Sequence, residues 1–272
     1  MKRALTPLTF QTSILCQRIG IAKDGFYSSM RERHKYDASD FATLDEQWHS
    51  LADGQELSAI TSTADADVNP HQPICIGMDY NANINWIVAA QPSGRRLNVI
   101  KSFYVKFDRK LPALVADFCD YYAAHKNKTV VFYYDTTALS SNYAVNDQDF
   151  RWVICHEFEI RGWEVVDVYI GNPMRHDEKY LLINQAFQGK QRLMPFFNRQ
   201  NNEDLLLAIQ TAGVSRGRNG FKKDKAGEKL GETEENLLEH RTDGTDAFDT
   251  LFIGCEKFPQ ETTSPLDCGG VM

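Results

Sequence analysis

What the chain lacks narrows it quickly. No two cysteines are spaced CxxC, and the six present (Cys16, Cys75, Cys119, Cys155, Cys255 and Cys268) are scattered, most of them in apolar stretches. This excludes a zinc ribbon and points to reduced thiols behaving as small hydrophobes rather than a disulfide framework. No apolar run is long enough to cross a bilayer, so no membrane partner is expected. The opening MKRALTPLTFQTS starts basic but has no long apolar core, so it does not read as a secretory signal, and cytoplasmic residence is expected. There is no excess of basic charge. The net charge is -7, which argues against a protein that coats nucleic acid through a broad basic surface. It leaves room for an acidic, cation-holding site beside one local basic patch. The chain also has no GxxxxGK[ST] phosphate loop and no internal repeat.

What is present is ordinary for a globular protein. The 272 residues are 42% hydrophobic and 25% charged, enough for one large domain or a domain with a smaller attachment. Residues 1–70 alternate short apolar and polar pieces and read as a connector, with a helix expected near Ala42 to Ala52 and a linker at Ala59 to Pro70 (AITSTADADVNP). Residues 71–258 read as the main domain and 259–272 as a flexible tail.

Within the domain, Ile74 to Met78 (ICIGM) is a buried strand ending at Asp79. Asn85 to Ala90 and Leu97 to Lys106 follow as strands after short turns, which suggests an antiparallel meander. Leu111, Leu114, Val115, Phe118 and Tyr122 recur at helical spacing, with Pro112 in the first turn. Thr129 to Tyr134 (TVVFYY) has no polar alternation, as expected of a strand covered on both faces, and ends at Asp135. Phe150 to Phe158 marks a second helix, Glu164 to Ile170 another strand, and Tyr180 to Phe187 and Leu205 to Ile209 further helices. A last helix carries Ala247, Phe248, Leu251, Phe252 and Cys255 on one face. The expected fold is α/β: a mixed sheet of about five or more strands with helices on both faces, its helix-linked strands parallel.

In such a sheet, functional groups gather at the carboxyl ends of strands, which is where Asp79 and Asp135 stand. If their strands are neighbours the two carboxylates converge, and converging acids repel unless a cation neutralises them. A third contribution comes from HRTDGTDAF (His240 to Phe248), where Asp243 and Asp246, three apart, share a face as a helix begins. Oxygen ligands of this kind suit Mg²⁺ or Mn²⁺. Each acid alone has a plainer reading, as a turn residue or as a helix cap favoured by the dipole. The three positions together, in this element order, favour a metal site.

The segment Val214 to Lys229 (VSRGRNGFKKDKAGEK) interleaves Arg216, Arg218, Lys222, Lys223 and Lys225 with glycines and Phe221. It reads either as a flexible loop that grips DNA phosphates or gates a cleft, or as a solvated surface hairpin. His156 reads as structural, while His176, beside a Gly-Asn-Pro turn, is placed to approach the cleft. Trp86, Trp152, Trp163, Phe132 and Tyr133 are spaced as packing residues.

With these motifs in order, the chain resembles the nuclease domain of the large terminase subunit of tailed bacteriophages and prophages. GMDYNANINWIVAA (Gly77 to Ala90) is similar to its first catalytic strand and hairpin, FYYDTTAL (Phe132 to Leu139) to its second, and HRTDGTDAFDTL (His240 to Leu251) to its closing acidic helix. GNPMRHDEKY (Gly171 to Tyr180) also matches, and DGFYSSMRERHKYD (Asp24 to Asp37) resembles the preceding connector. The likeness covers roughly Ile74 to Lys257. The resemblance implies a ribonuclease H-like fold and two-metal catalysis with Mg²⁺ or Mn²⁺. It also implies cutting of double-stranded DNA during genome packaging in the bacterial host cytoplasm, with portal protein and small terminase subunit as partners. By motif position, Asp79, Asp135 and Asp243 map onto the catalytic, metal-binding acids and Asp246 onto the second acid of the closing motif. Which of Asp243 and Asp246 is the essential ligand stays open.

One departure is large. Without a Walker A loop the chain resembles an isolated nuclease domain with its connector, and no ATP-driven translocation is expected of it. Resolvases and transposases place acidic triads on the same scaffold, and a catalytically silent DNA-docking or assembly module is a further alternative. An actin-like or sugar-kinase ATPase needs a glycine-rich loop after its first strand, and YNANIN (Tyr80 to Asn85) has no glycine.

Overall fold

The computed structural model describes residues 25–38, 61–81, 84–140, 148–217, 220–225 and 242–260. The helix expected at Ala42 to Ala52 lies outside these residues. In chain order the elements are β1 (Lys35–Tyr36), β2 (Ile74–Tyr80), β3 (Ile84–Ser93), β4 (Arg96–Lys106), α1 (Leu111–Tyr121), β5 (Thr129–Tyr134), α2 (Phe150–Glu159) and β6 (Glu164–Tyr169). There follow α3 (His176–Phe187), β7 (Met194–Asn198), α4 (Glu203–Thr211), the hairpin β8 (Val214–Gly217) and β9 (Gly220–Lys223), and α5 (Asp243–Lys257).

β2, β3 and β4 form the expected antiparallel meander. β5 lies parallel to β2, and β6 parallel to β5, as helix-linked strands should. The main sheet has seven strands in the order β1-β7-β4-β3-β2-β5-β6, two more than the five read from the sequence. The additions are β7, parallel to β4, and the two-residue β1, parallel to β7. The architecture is α/β, a mixed sheet with helices on both faces.

Strand alternation divides the core into two layers. Ile74, Ile76 and Met78 of β2, with Val130 and Phe132 of β5, face α1 and α2. Cys75 of β2, with Val131 and Tyr133 of β5, faces the side covered by α3, α4 and α5. On that side α5 lies almost directly on β2. A Cβ added at Gly77 would stand 2.5 Å from the carbonyl oxygen of Ala247, so only a glycine allows the helix so close. Farther along α5, Gly254 abuts the Tyr133 ring in the same way.

Residues with the composition of a connector are packed onto this frame. Phe26 is fully buried, and its amide donates to the Ala212 carbonyl at 2.8 Å. Asp65 and Asp67, inside the stretch read as a linker, are buried and accept hydrogen bonds from Tyr121 Oη (2.5 Å) and Tyr36 Oη (2.6 Å) respectively. Trp86, Trp163, Phe132 and Tyr133 are buried as expected, but Trp152 is 41% exposed and stacks on His156 at the surface of α2. Trp152, read with the others as a core or packing residue, lies off the buried stripe of α2, which is formed by Phe150, Ile154 and Phe158. Among the described residues no helix is long and apolar enough to cross a membrane.

Candidate functional site

The parallel ladder between β2 and β5 pairs Gly77 with Tyr133. Two residues farther on, the two chains reach Asp79 and Asp135 together. The side-chain period of 2 puts the Asp79 side chain on the face of Gly77, which is the face α5 covers, while Asp135 is the first residue past β5. The two acids therefore stand at one level, by the ends of neighbouring parallel strands. Asp135 also shapes its own turn: its Oδ1 accepts from the Thr137 amide (2.9 Å) and hydroxyl (2.5 Å), starting the 3₁₀ turn Thr136–Leu139.

α5 brings three more acids to this end of the sheet. It begins at Asp243, after Thr242 as its N-cap residue, so Asp243 is not the simple cap that its position also allowed. Asp243 is 2% exposed and accepts a hydrogen bond from Nδ2 of Asn81, just past the end of β2. Asp246 gives Oδ1 to Lys223 Nζ and Oδ2 to Lys225 Nζ, each at 2.6 Å. Asp249, fully buried, accepts from Lys223 Nζ (2.7 Å) and Tyr27 Oη (2.7 Å), with Lys179 Nζ 3.7 Å away. The spacing i, i+3, i+6 keeps the three carboxylates along one stripe of the helix.

The electrostatics sort these acids into two groups. Burial would raise the Asp246 carboxyl, but Lys223, Lys225 and Lys179 hold it well below the usual carboxylate range. Burial opposes charge on Lys223, yet Asp246 and Asp249 hold its ammonium well above the usual lysine value. Asp79 is different. Burial, then repulsion from Asp246 and Asp243, pushes its carboxyl well up. Among the described residues it has neither a hydrogen-bond donor nor an ion-pair partner. Tyr80, beside it, is pushed up by burial and by the charges of Asp135 and Asp79.

Among the described residues, no three His, Cys, Asp or Glu side chains already close around one point. Lysines engage both oxygens of Asp246, and Asn81 engages Asp243. The donor set still fits a hard divalent cation: carboxylate oxygens, one of them Asp79, which is flanked by like charge and has no donor among the described residues.

Of the two readings of the basic segment, the hairpin is the one found: Val214–Gly217 and Gly220–Lys223 pair as β8 and β9. Lys223, read as a surface phosphate contact, is 1% exposed and also donates to Thr245 Oγ1 at 2.9 Å, so it is an internal counter-ion. Lys222 is exposed, Lys225 is half-exposed on Asp246, Arg216 lies on β8, and Arg218 falls outside the described residues. His176 opens α3 and lies within the field of Asp246; burial, then Lys179, lowers its pKa. The sequence reading missed Asp249, Lys179 and Tyr27. A signal existed for Asp249, which continues the three-residue series of Asp243 and Asp246.

The chain matches no family model and no curated protein. Among solved structures, its fold is similar to the large terminase of a thermophilic bacteriophage in complex with ADP. That match has a TM-score of 0.51 and 11% identity, and it covers 94% of this chain and 53% of that one. The chain thus spans about half the length of that protein. Two lesser likenesses are the large terminase nuclease of the thermophilic phage G20c with bound magnesium and the nuclease domain of the Thermus phage P74-26 large terminase. The first has TM-score 0.40, 12% identity, and covers 69% of this chain and 84% of that one. The second has TM-score 0.40, 13% identity, and covers 72% and 84%. At these identities the likeness is one of fold.

Proposed function

We propose that this chain is a divalent-metal-dependent endonuclease of the large-terminase type, cutting double-stranded DNA during viral genome packaging in the host cytoplasm. The observation that carries the reading is the level register of Asp79 and Asp135 by the ends of adjacent parallel strands, with the acidic start of α5 acting on Asp79. The fold shared with the ADP-bound large terminase and the order of the three acidic motifs support it. Asp79, Asp135 and Asp243 would hold Mg²⁺ or Mn²⁺, with Asp246 as a further ligand. Two such ions, when bound, supply an activated water and stabilise the departing 3′ oxygen.

The chain's own groups hold and orient. Thr137 fixes the direction of the Asp135 carboxylate, and Asn81 fixes that of Asp243. Asp79, already destabilised as a lone anion, gains most from a cation. The exposed lysine of the hairpin, Lys222, is available to duplex phosphates. Portal protein and small terminase subunit are the protein partners this reading brings with it.

Supercoiled plasmid incubated with Mn²⁺ tests the proposal. The wild-type chain should nick and linearise it, and Asp79→Ala or Asp135→Ala should abolish cleavage with an unchanged circular dichroism spectrum. Activity retained in either variant rejects the assignment. Preference for branched over linear DNA would instead indicate a resolvase, and DNA or portal binding with no cleavage under any metal would indicate a docking module.

A further inference from the structure

The cation that these acids favour has a rival already in place. Asp246 is held by two ammonium groups from one short basic stretch, and the two are not equivalent. Lys223 is fully buried and also serves Asp249 and Thr245, so its departure would strand two buried carboxylates. Lys225, two residues on, has 46% of its side chain exposed and sits on the outer oxygen, Oδ2, at 2.6 Å. Of the two ammonium groups on Asp246 it is the one with a path to solvent. It also occupies a lone pair that a divalent ion would use. We propose that Lys225 is a resident competitor for the cation at Asp246: the entering ion turns it out, and the freed ammonium then becomes available to a DNA phosphate.

This inference rests on the metal-dependent reading above. One ammonium cannot neutralise carboxylate and phosphate at once, so metal and DNA should strengthen each other's binding through it.

The primary test is Mn²⁺ titration of the whole chain without DNA, followed by the loss of the free-ion electron paramagnetic resonance signal. Lys225→Met should bind Mn²⁺ about two- to fivefold more tightly than wild type, the range for removing one exposed ion pair. Lys126→Met removes the same charge from an exposed position outside the site and should leave the affinity near wild type. In an Asp246→Asn background the effect of Lys225→Met should vanish. Equal tightening by both lysine variants, or none by Lys225→Met, overturns the competition while leaving the metal site standing, provided Asp79→Ala abolishes wild-type binding. No Mn²⁺ binding by any variant removes both proposals. A second measurement follows a short duplex by fluorescence anisotropy with and without Ca²⁺. The gain in affinity on adding the ion should be smaller in Lys225→Met than in wild type, and an equal gain counts against release toward DNA.

Discussion

Lys223 shows how one residue can reverse its apparent role between sequence and fold. Among glycines and other basic residues it reads as a solvated phosphate contact. In the structure its ammonium is shared by Asp246, Asp249 and Thr245, and lies 5.0 Å from the centre of the Phe26 ring. Removing one member of a buried ion network leaves its partners uncompensated. Lys223→Met is therefore expected to cost about 3–5 kcal/mol in urea denaturation. Adding Asp249→Asn should recover part of that, and a loss below about 1 kcal/mol would mean that the acids are solvated. The clue was strand alternation: Phe221 and Lys223 share a face of β9, and Phe221 stacks on Phe26 at 6.3 Å. Asp79 and Asp135 were legible because an acid closing an uninterrupted apolar strand is conspicuous. Asp249 was not, because one aspartate inside an amphipathic helix is commonplace until its partners are known.

At the level of elements, the site depends on how closely α5 lies on β2. Gly77→Ala would drive a methyl group to 2.5 Å from the Ala247 oxygen and 2.6 Å from the Leu251 nitrogen, both of them backbone atoms that cannot step aside. The helix must lift, at a cost of about 1–3 kcal/mol or more. The same movement draws Asp243 and Asp246 away from Asp79, so Mn²⁺ affinity should fall along with the melting temperature. A stable variant with unchanged affinity would show that the seam does not set the site. The elements that build this seam were readable, since β2 and β5 are continuous β-prone runs and α5 has one apolar face. β7 was not, because MPFFN is short and contains Pro195. Pro195 pairs with Leu97 of β4 on one side, while β1 reaches only Phe197 and Asn198 on the other. The proline therefore sits where the strand is locally an edge, the position in a sheet that accepts one.

Across the whole molecule, polar residues do fastening that composition disguised. The stretch around Asp65 and Asp67 has the small, polar make-up of a linker. Its carboxylates nevertheless reach Tyr121 and Asn201, and Tyr36 and Asn198, tying the β1 edge to the body of the sheet. Composition cannot separate a buried, hydrogen-bonded aspartate from a solvated one. Burial pushes Asp65 from 3.8 up to about 6. The folded state then holds that proton more tightly than the unfolded chain does. The associated stability is present below the ordinary carboxylate value and is lost as pH rises through about 6. Thermal melts between about pH 4 and about pH 6.5 should show wild type losing ground against Asp65→Asn, whereas parallel profiles would refute the burial argument. A long-range tie at the site joins Asn81 to Asp243, 162 residues apart in the chain. Ribosomes make about 5–20 residues each second, so roughly 8–32 s separate the synthesis of the two partners. On the proposed reading, a nascent copy stays unarmed throughout that interval, and nearby genomes meet no blade until α5 has emerged and docked.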